Sequence, residues 1–250
     1  MDVNKNSYTF IFAGVMVVVV AALLSFAATS LKPFQDKNVA LEKKQDILKS
    51  IGVEVSREQA EEDYDKYIKQ ELVINNGKVK EGVVAFNVDL SKEIKKAPEE
   101  RDAPLYIGEK DGETYYVIPL RGKGLWGPIW GYISLKGDVN TVSGATFGHK
   151  GETPGLGAEI ATPIFMDQFV DKKILDGQGD FASIQVMKGN ASGDHQVDGI
   201  SGGTITSVGV QDMLKDCIKA YVPFLKGYVA GSSSTATTQA ENMNVATIEE

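Results

Sequence analysis

The chain has 250 residues, 24% charged and 42% hydrophobic, a balance that allows a substantial core and excludes a wholly disordered protein. Its net charge of −8 argues against nucleic acid as a partner, because a phosphate backbone calls for a basic face. One cysteine excludes an internal disulfide.

From Tyr8 to Thr29 the chain is apolar and uncharged. About 20 such residues in a helix cross a bilayer, so the segment reads as an uncleaved membrane anchor. A signal peptide is the rival reading, since Ser25-Phe26-Ala27 has the small-x-small look of a cleavage site. Against it, Lys5 is the only lysine ahead of the run and is offset by Asp2. The run also exceeds the roughly 7–15 residues of a signal-peptide core. Lys32, Lys37, Lys43, Lys44 and Lys49 follow it, which by literal count places the remainder in the cytoplasm. That rule is weak for long domains, and charge leaves the orientation open.

After Pro33 an exposed helical stalk is expected, with Leu41, Lys44, Leu48 and Ile51 as its stripe and Gly52 as its stop. A second helix opens with Ser56 and Gln59, spaced as a capping box, and carries Ala60, Tyr64, Tyr67 and Ile68 at helical intervals. The acidic residues Glu58, Glu61, Glu62 and Asp63 read as a solvated face, and Ser91 to Lys96 as charged surface. From Pro104 the period becomes that of strands: Leu105 to Ile107, a turn at Asp111-Gly112, Thr114 to Leu120, then Trp130 to Leu135. Between the last two, glycines alternate with Trp126 and Trp130. Such a stretch either brings backbone against a flat ligand or forms a strand corner packed by tryptophan.

Three segments bear on chemistry. Ser143-Gly144-Ala145-Thr146 holds a hydroxyl-rich tetrad in a strand-like context. Gly148 to Gly157 contains His149 and Glu152, too few ligands for a structural metal, and a Pro154-Gly155 turn leading into Leu156 and Gly157. The third is Asp198-Gly-Ile-Ser201-Gly202-Gly203-Thr204-Ile-Thr206-Ser207. It runs into a helix whose apolar residues Val210, Met213, Leu214, Cys217, Ile218 and Tyr221 share one face. With Thr206 or Ser207 as N-cap, the unpaired N–H groups of the first turn face the loop and favour an anion there. A plain capping turn is the default reading. A serine nucleophile at Ser201 within G-x-S-x-G is a weaker one, since that fold places its histidine after the serine and both His149 and His195 precede it. Cys217 reads as a small buried hydrophobe.

Asp-x-x-Ser-Gly-small-Thr resembles the attachment sequence of covalent FMN-binding domains. Joined to Glu152-Thr153-Pro154-Gly155-Leu156-Gly157 about fifty residues earlier, and to Gly124-Leu125-Trp126-Gly127 before that, it resembles the C-subunit family of the sodium-translocating NADH:quinone reductase. The related G-type flavoprotein of the Rnf electron-transport complex is the second resemblance. The family usually has alanine where this chain has Gly203.

The resemblance implies FMN held by a phosphoester to Thr204. Asp198, Ser201, Gly202, Gly203 and Thr206 would make up the motif and phosphate site. Glu152, Thr153, Leu156, Gly157 and Trp126 would contact the ring or ribityl chain. Thr146 is a decoy on this reading, because Asn140 stands where the motif needs an acid.

The implied architecture is α+β. Residues 1–30 form a single transmembrane anchor; 31–100 form a helical stalk and the first part of the soluble domain. Residues 101–230 form an FMN-binding domain with a mostly antiparallel sheet packed by helices, and 231–250 a disordered tail. The implied function is an electron relay within a membrane-bound reductase, with the other subunits and a flavin transferase as partners. The implied location is the bacterial inner membrane, single-pass, with the FMN domain on the periplasmic side. Neither NADH nor quinone is expected to bind, since no G-x-G-x-x-G joins a strand to a helix.

Overall fold

The computed structural model describes residues 6–227. The tail expected over 231–250 lies outside these residues. The chain divides into two compact units, one ending at Lys43 and the other beginning at Lys44.

Helix α1 runs from Asn6 to Ser50 without interruption, Pro33 included. Its first part is long and apolar enough to cross a membrane, and its side chains there are unburied. The stalk expected after Pro33 is therefore a continuation of the anchor helix. Nor is its end exposed: Ile47, Leu48 and Ile51 are fully buried. Gly52 stops the helix at φ +73°, with its N–H on the Lys49 carbonyl and that of Val53 on the Leu48 carbonyl. This is a Schellman ending, for which a left-handed residue is required. The Ser50 carbonyl accepts from Ser134 Oγ, so the last turn is satisfied by the sheet.

Helix α2 (Ala60–Tyr67) starts after Gln59, whose side chain is met by Ser56 Oγ instead of capping the backbone. It leads directly into strand β1 (Ile68–Asn75), followed by β2 (Lys78–Val79) and the short helix α3 (Leu90–Glu93). Strands β3 (Ala103–Lys110), β4 (Glu113–Lys123), β5 (Pro128–Leu135) and β6 (Val142–His149) complete a six-stranded sheet in the order β2-β1-β3-β4-β5-β6. Every pairing in it is antiparallel. The sheet takes strands from both sides of residue 101. Asp111 and Gly112 form the expected hairpin turn, both at positive φ as a type I′ turn needs.

The period of two decides what covers each face. Leu105, Ile107, Ile118, Leu120 and Ile133 point to one side, where they meet the buried stripe of α5 (Thr204–Lys219): Val210, Met213, Leu214, Cys217 and Ile218. Tyr106, Tyr115, Val117 and Tyr132 point to the other, against Ile47, Leu48, Ile51 and Tyr64. All six apolar positions predicted for the last helix are buried, Tyr221 among them. Helix α4 (Pro163–Met166) and the parallel pair β7 (Gln185–Met187) and β8 (Gln196–Asp198) lie in the connection before α5. Gln211 Oε1 accepts from the Val186 N–H and ties that pair to α5.

Candidate functional site

The loop between β8 and α5 is a β-turn from Ile200 to Gly203, closed by the Gly203 N–H on the Ile200 carbonyl at 3.0 Å. Gly202, its third residue, has φ +75°, the left-handed region in which glycine carries no Cβ penalty. Gly203 is the N-cap, and the first helical bond runs from the Ser207 N–H to its carbonyl. The helix thus starts earlier than the capping pattern predicts, and neither Thr206 nor Ser207 is the cap. Their hydroxyls have other partners: Thr206 Oγ1 donates to Glu152 Oε2 at 2.6 Å, and Ser207 Oγ accepts from the Ile200 N–H at 3.0 Å.

Thr204 is consequently the first residue of α5, and it is exposed. Helix geometry gives the N–H groups of Thr204, Ile205 and Thr206 no partner within the helix, so this end favours an anion. Two clefts meet at Thr204. One, of about 220 Å³, is lined by Leu125, Trp126, Glu152, Thr153, Leu156 and Gly157 together with residues 202–206. The other, of about 370 Å³, is lined by Met187, Lys188, Gly189, Ser201 and Val208 among others. Around the first, Trp126 is 70% exposed, Ile205 58%, Leu125 47% and Leu156 42%. Large apolar side chains left open beside a concave polar floor suit a flat, partly apolar ligand.

Two of the predicted ring contacts are buried, Gly157 and Glu152, the latter 4% exposed. Glu152 Oε1 accepts from the Trp126 N–H at 2.9 Å while Oε2 holds Thr206. Burial pushes its pKa up. The Thr206 hydroxyl and the N–H groups of Trp126, Gly127 and Leu125 outweigh burial and hold it below the usual glutamate value. Thr153 and Leu156 frame a turn in which Gly155 has φ +73°, and the Gly155 N–H is fixed on Glu159 Oε1. Asp198 Oδ1 accepts from the Ala191 N–H at 2.7 Å, and Gln168 bonds both its backbone groups. Ser201 is exposed at the tip of the turn.

Gly203 is closely surrounded. A Cβ there would stand 3.0 Å from Ile200 Cγ2 and 3.3 Å from the Gly157 nitrogen. The branched Ile200 fills the space that the methyl would take.

Thr146 sits in β6, 2% exposed, with its hydroxyl toward the Asp46 carbonyl. The histidines do not serve Ser201 through Nδ1: that of His149 accepts from the Glu152 N–H, and that of His195 meets the Lys173 carbonyl at 2.7 Å. The spacing Gly122-x-Gly124-x-x-Gly127 does occur, but it joins β4 to β5, two strands, and not a strand to a helix. Cys217 is buried on the helix face, as expected, and burial pushes its thiol up to about 11.

Residues 124–219 match the FMN-binding domain family. The C subunit of the Na(+)-translocating NADH-quinone reductase of Pseudomonas aeruginosa is 33% identical over 89% of this chain and 97% of its own length. The chain belongs to this C-subunit family. The Haemophilus ducreyi member is also 33% identical, over 85% of this chain and 90% of its own. Among solved structures, the C subunit from Parabacteroides distasonis superposes with a TM-score of 0.72 at 45% identity, covering 78% of this chain and 96% of that one. The Shewanella oneidensis NqrC gives 0.64 at 28%, covering 74% and 97%.

For this member of the family, sequence reasoning missed Leu125 and Ile205 as cleft walls and the Glu152–Thr206 pair beneath them. Leu125 was within reach, being next to Trp126 in the glycine-rich stretch. The pair joins residues 54 apart in sequence, and no local period signals it.

Proposed function

We propose that the chain is the FMN-carrying electron-relay subunit of a Na(+)-translocating NADH-quinone reductase, with the flavin joined through its phosphate to Thr204 Oγ1. The observation that carries this reading is the place of Thr204: an exposed hydroxyl at the first position of α5, between two clefts, within the stretch that matches the FMN-binding domain. Bound flavin supplies the redox chemistry.

The chain's own residues supply placement. Thr204 would provide the bridging oxygen: with a flavin dinucleotide as donor, presented by a separate flavin transferase, a P–O bond forms to Oγ1 as the donor's pyrophosphate P–O bond breaks, and the nucleoside monophosphate leaves while the hydroxyl proton passes to solvent. Backbone N–H groups of the first turn, with Ser201 beside them, receive the phosphate oxygens. Thr206 has its proton committed to Glu152, so its part in holding phosphate is through its backbone N–H. Leu125, Trp126, Leu156 and Ile205 form the apolar walls for the ring. A tethered cofactor is not lost when one face stays open, which suits exchange of electrons with a neighbouring subunit.

The apolar part of α1 fits a single-pass anchor. We place the FMN domain on the periplasmic side, where the family's flavin transferase works.

The test is covalent flavin in the denatured protein, read by fluorescence in gel and by intact mass after co-production with a flavin transferase. Thr204→Ala abolishes it and leaves the fold intact, because the change removes one exposed loop-side hydroxyl. Thr146→Ala retains it. Flavin surviving in the Thr204 variant overturns the assignment.

A further inference from the structure

The Glu152 carboxylate is caged. A Cβ on Gly124 would lie 2.6 Å from its Oε1, and one on Gly157 would lie 2.5 Å from its Oε2 and 2.6 Å from Thr206 Oγ1. Two glycines therefore clear the space in which one buried acid reaches two elements. One element is the hairpin tip between β4 and β5, which presents Leu125 and Trp126 to the cleft. The other is the first turn of α5, which presents Thr204. Tip and helix come from segments about eighty residues apart, and both line the same cleft. The tip's own closure is a single backbone bond, from the Gly124 N–H to the Gly127 carbonyl at 2.8 Å.

A buried carboxylate is tolerated only when its lone pairs are filled, and here donors from both elements fill them. The low pKa of Glu152 accords with this filling.

We propose that Glu152 is a positioning residue: by accepting from the tip's backbone and from the Thr206 hydroxyl at once, it locks the Leu125–Trp126 wall to the turn that carries Thr204. It acts through Trp126 and Thr206, and it sets the width of the cleft before any flavin is attached. The role of the cleft rests on the flavin reading above; the lock itself does not.

Four variants separate the lock from general stability. Glu152→Ala removes both arms. Glu152→Gln keeps them, since its oxygen accepts from the tip and its amide donates to Thr206. Thr206→Val removes only the helix arm at constant shape, and Thr206→Ser restores it. Amide exchange is measured on the full chain in detergent, made flavin-free by Thr204→Ala. Exchange at Leu125, Trp126 and Gly127 is expected to speed up about tenfold or more in Glu152→Ala and in Thr206→Val. Glu152→Gln and Thr206→Ser are expected to stay within about twofold of the parent.

In flavin-carrying protein with Thr204 intact, Thr206→Val is expected to shift the flavin absorption and midpoint potential, and Thr206→Ser is not. Parental protection of the tip in Thr206→Val overturns the proposal, as does a Glu152→Gln tip as open as that of Glu152→Ala. Should Glu152→Ala not fold, the Thr206 pair decides alone. Wild-type protein without covalent flavin at Thr204 would refute the flavin reading and leave the exchange result standing.

Discussion

Gly209→Ala in the second turn of α5 sets two known effects against each other. Replacing glycine by alanine inside a helix ordinarily stabilises by about 0.8–1 kcal/mol. Here the new Cβ would stand 2.4 Å from the Lys123 carbonyl oxygen and 3.3 Å from its carbon, where real Cβ contacts essentially never fall below 3.0 Å. The helix must lift from β4 by about 0.6 Å to reach that limit. No rotamer relieves the contact, because the obstacle is backbone, and Lys123 is held in register with Pro128 of β5.

Overpacking costs about 1–3 kcal/mol, and a backbone obstacle puts the figure toward the upper end. The net expectation is a loss of about 1–2 kcal/mol. For a protein of this size that is a fall in Tm of roughly 2–8 °C. Thermal unfolding followed by circular dichroism on the detergent-solubilised chain measures it. Gly177→Ala, where a Cβ meets nothing within 4 Å, is the control and should change Tm little. A rise in Tm for Gly209→Ala would refute the close packing of α5 on β4, and with it the geometry of the cleft at the helix end.

Two further outcomes are expected. Leu156→Ala removes one apolar wall of the 220 Å³ cleft and should leave the flavin attached while shifting its absorption and potential; an unchanged spectrum would mean the turn after Pro154 is structural only. If the FMN domain faces the periplasm, protease added to intact spheroplasts cuts the chain after Ala230 and spares a tag placed before Tyr8. Cleavage only after lysis would mean that the lysines after the anchor had set the orientation.

Local patterns carried much of the fold. The Asp111-Gly112 turn, three of the strands and the whole buried stripe of α5 follow from periods of two and 3.6 read directly off the residues. Tertiary contact decided what those patterns left open. Leu48 and Ile51 read as one stripe of an exposed stalk, yet they are buried because the tyrosine face of the sheet needs a cover. At the site, Thr206 and Ser207 have the side chains of capping residues, but a glutamate from a distant loop and the Ile200 N–H claimed their hydroxyls. The loop from Asp198 to Ser207 could be singled out because its residues are contiguous. The Glu152–Thr206 pair could not, because it joins two segments.

Gly203 at the head of α5 has no side chain with which to cap it. A phosphodiester on Thr204 would place a permanent negative charge at that uncapped end, a contribution of about 0.3–1 kcal/mol to the helix. Maturation would then complete the fold as well as load the cofactor. The helix would be encoded with an unfinished end, the missing group being one that no codon specifies. Chains without that group would differ from finished ones in the firmness of the first turn of α5.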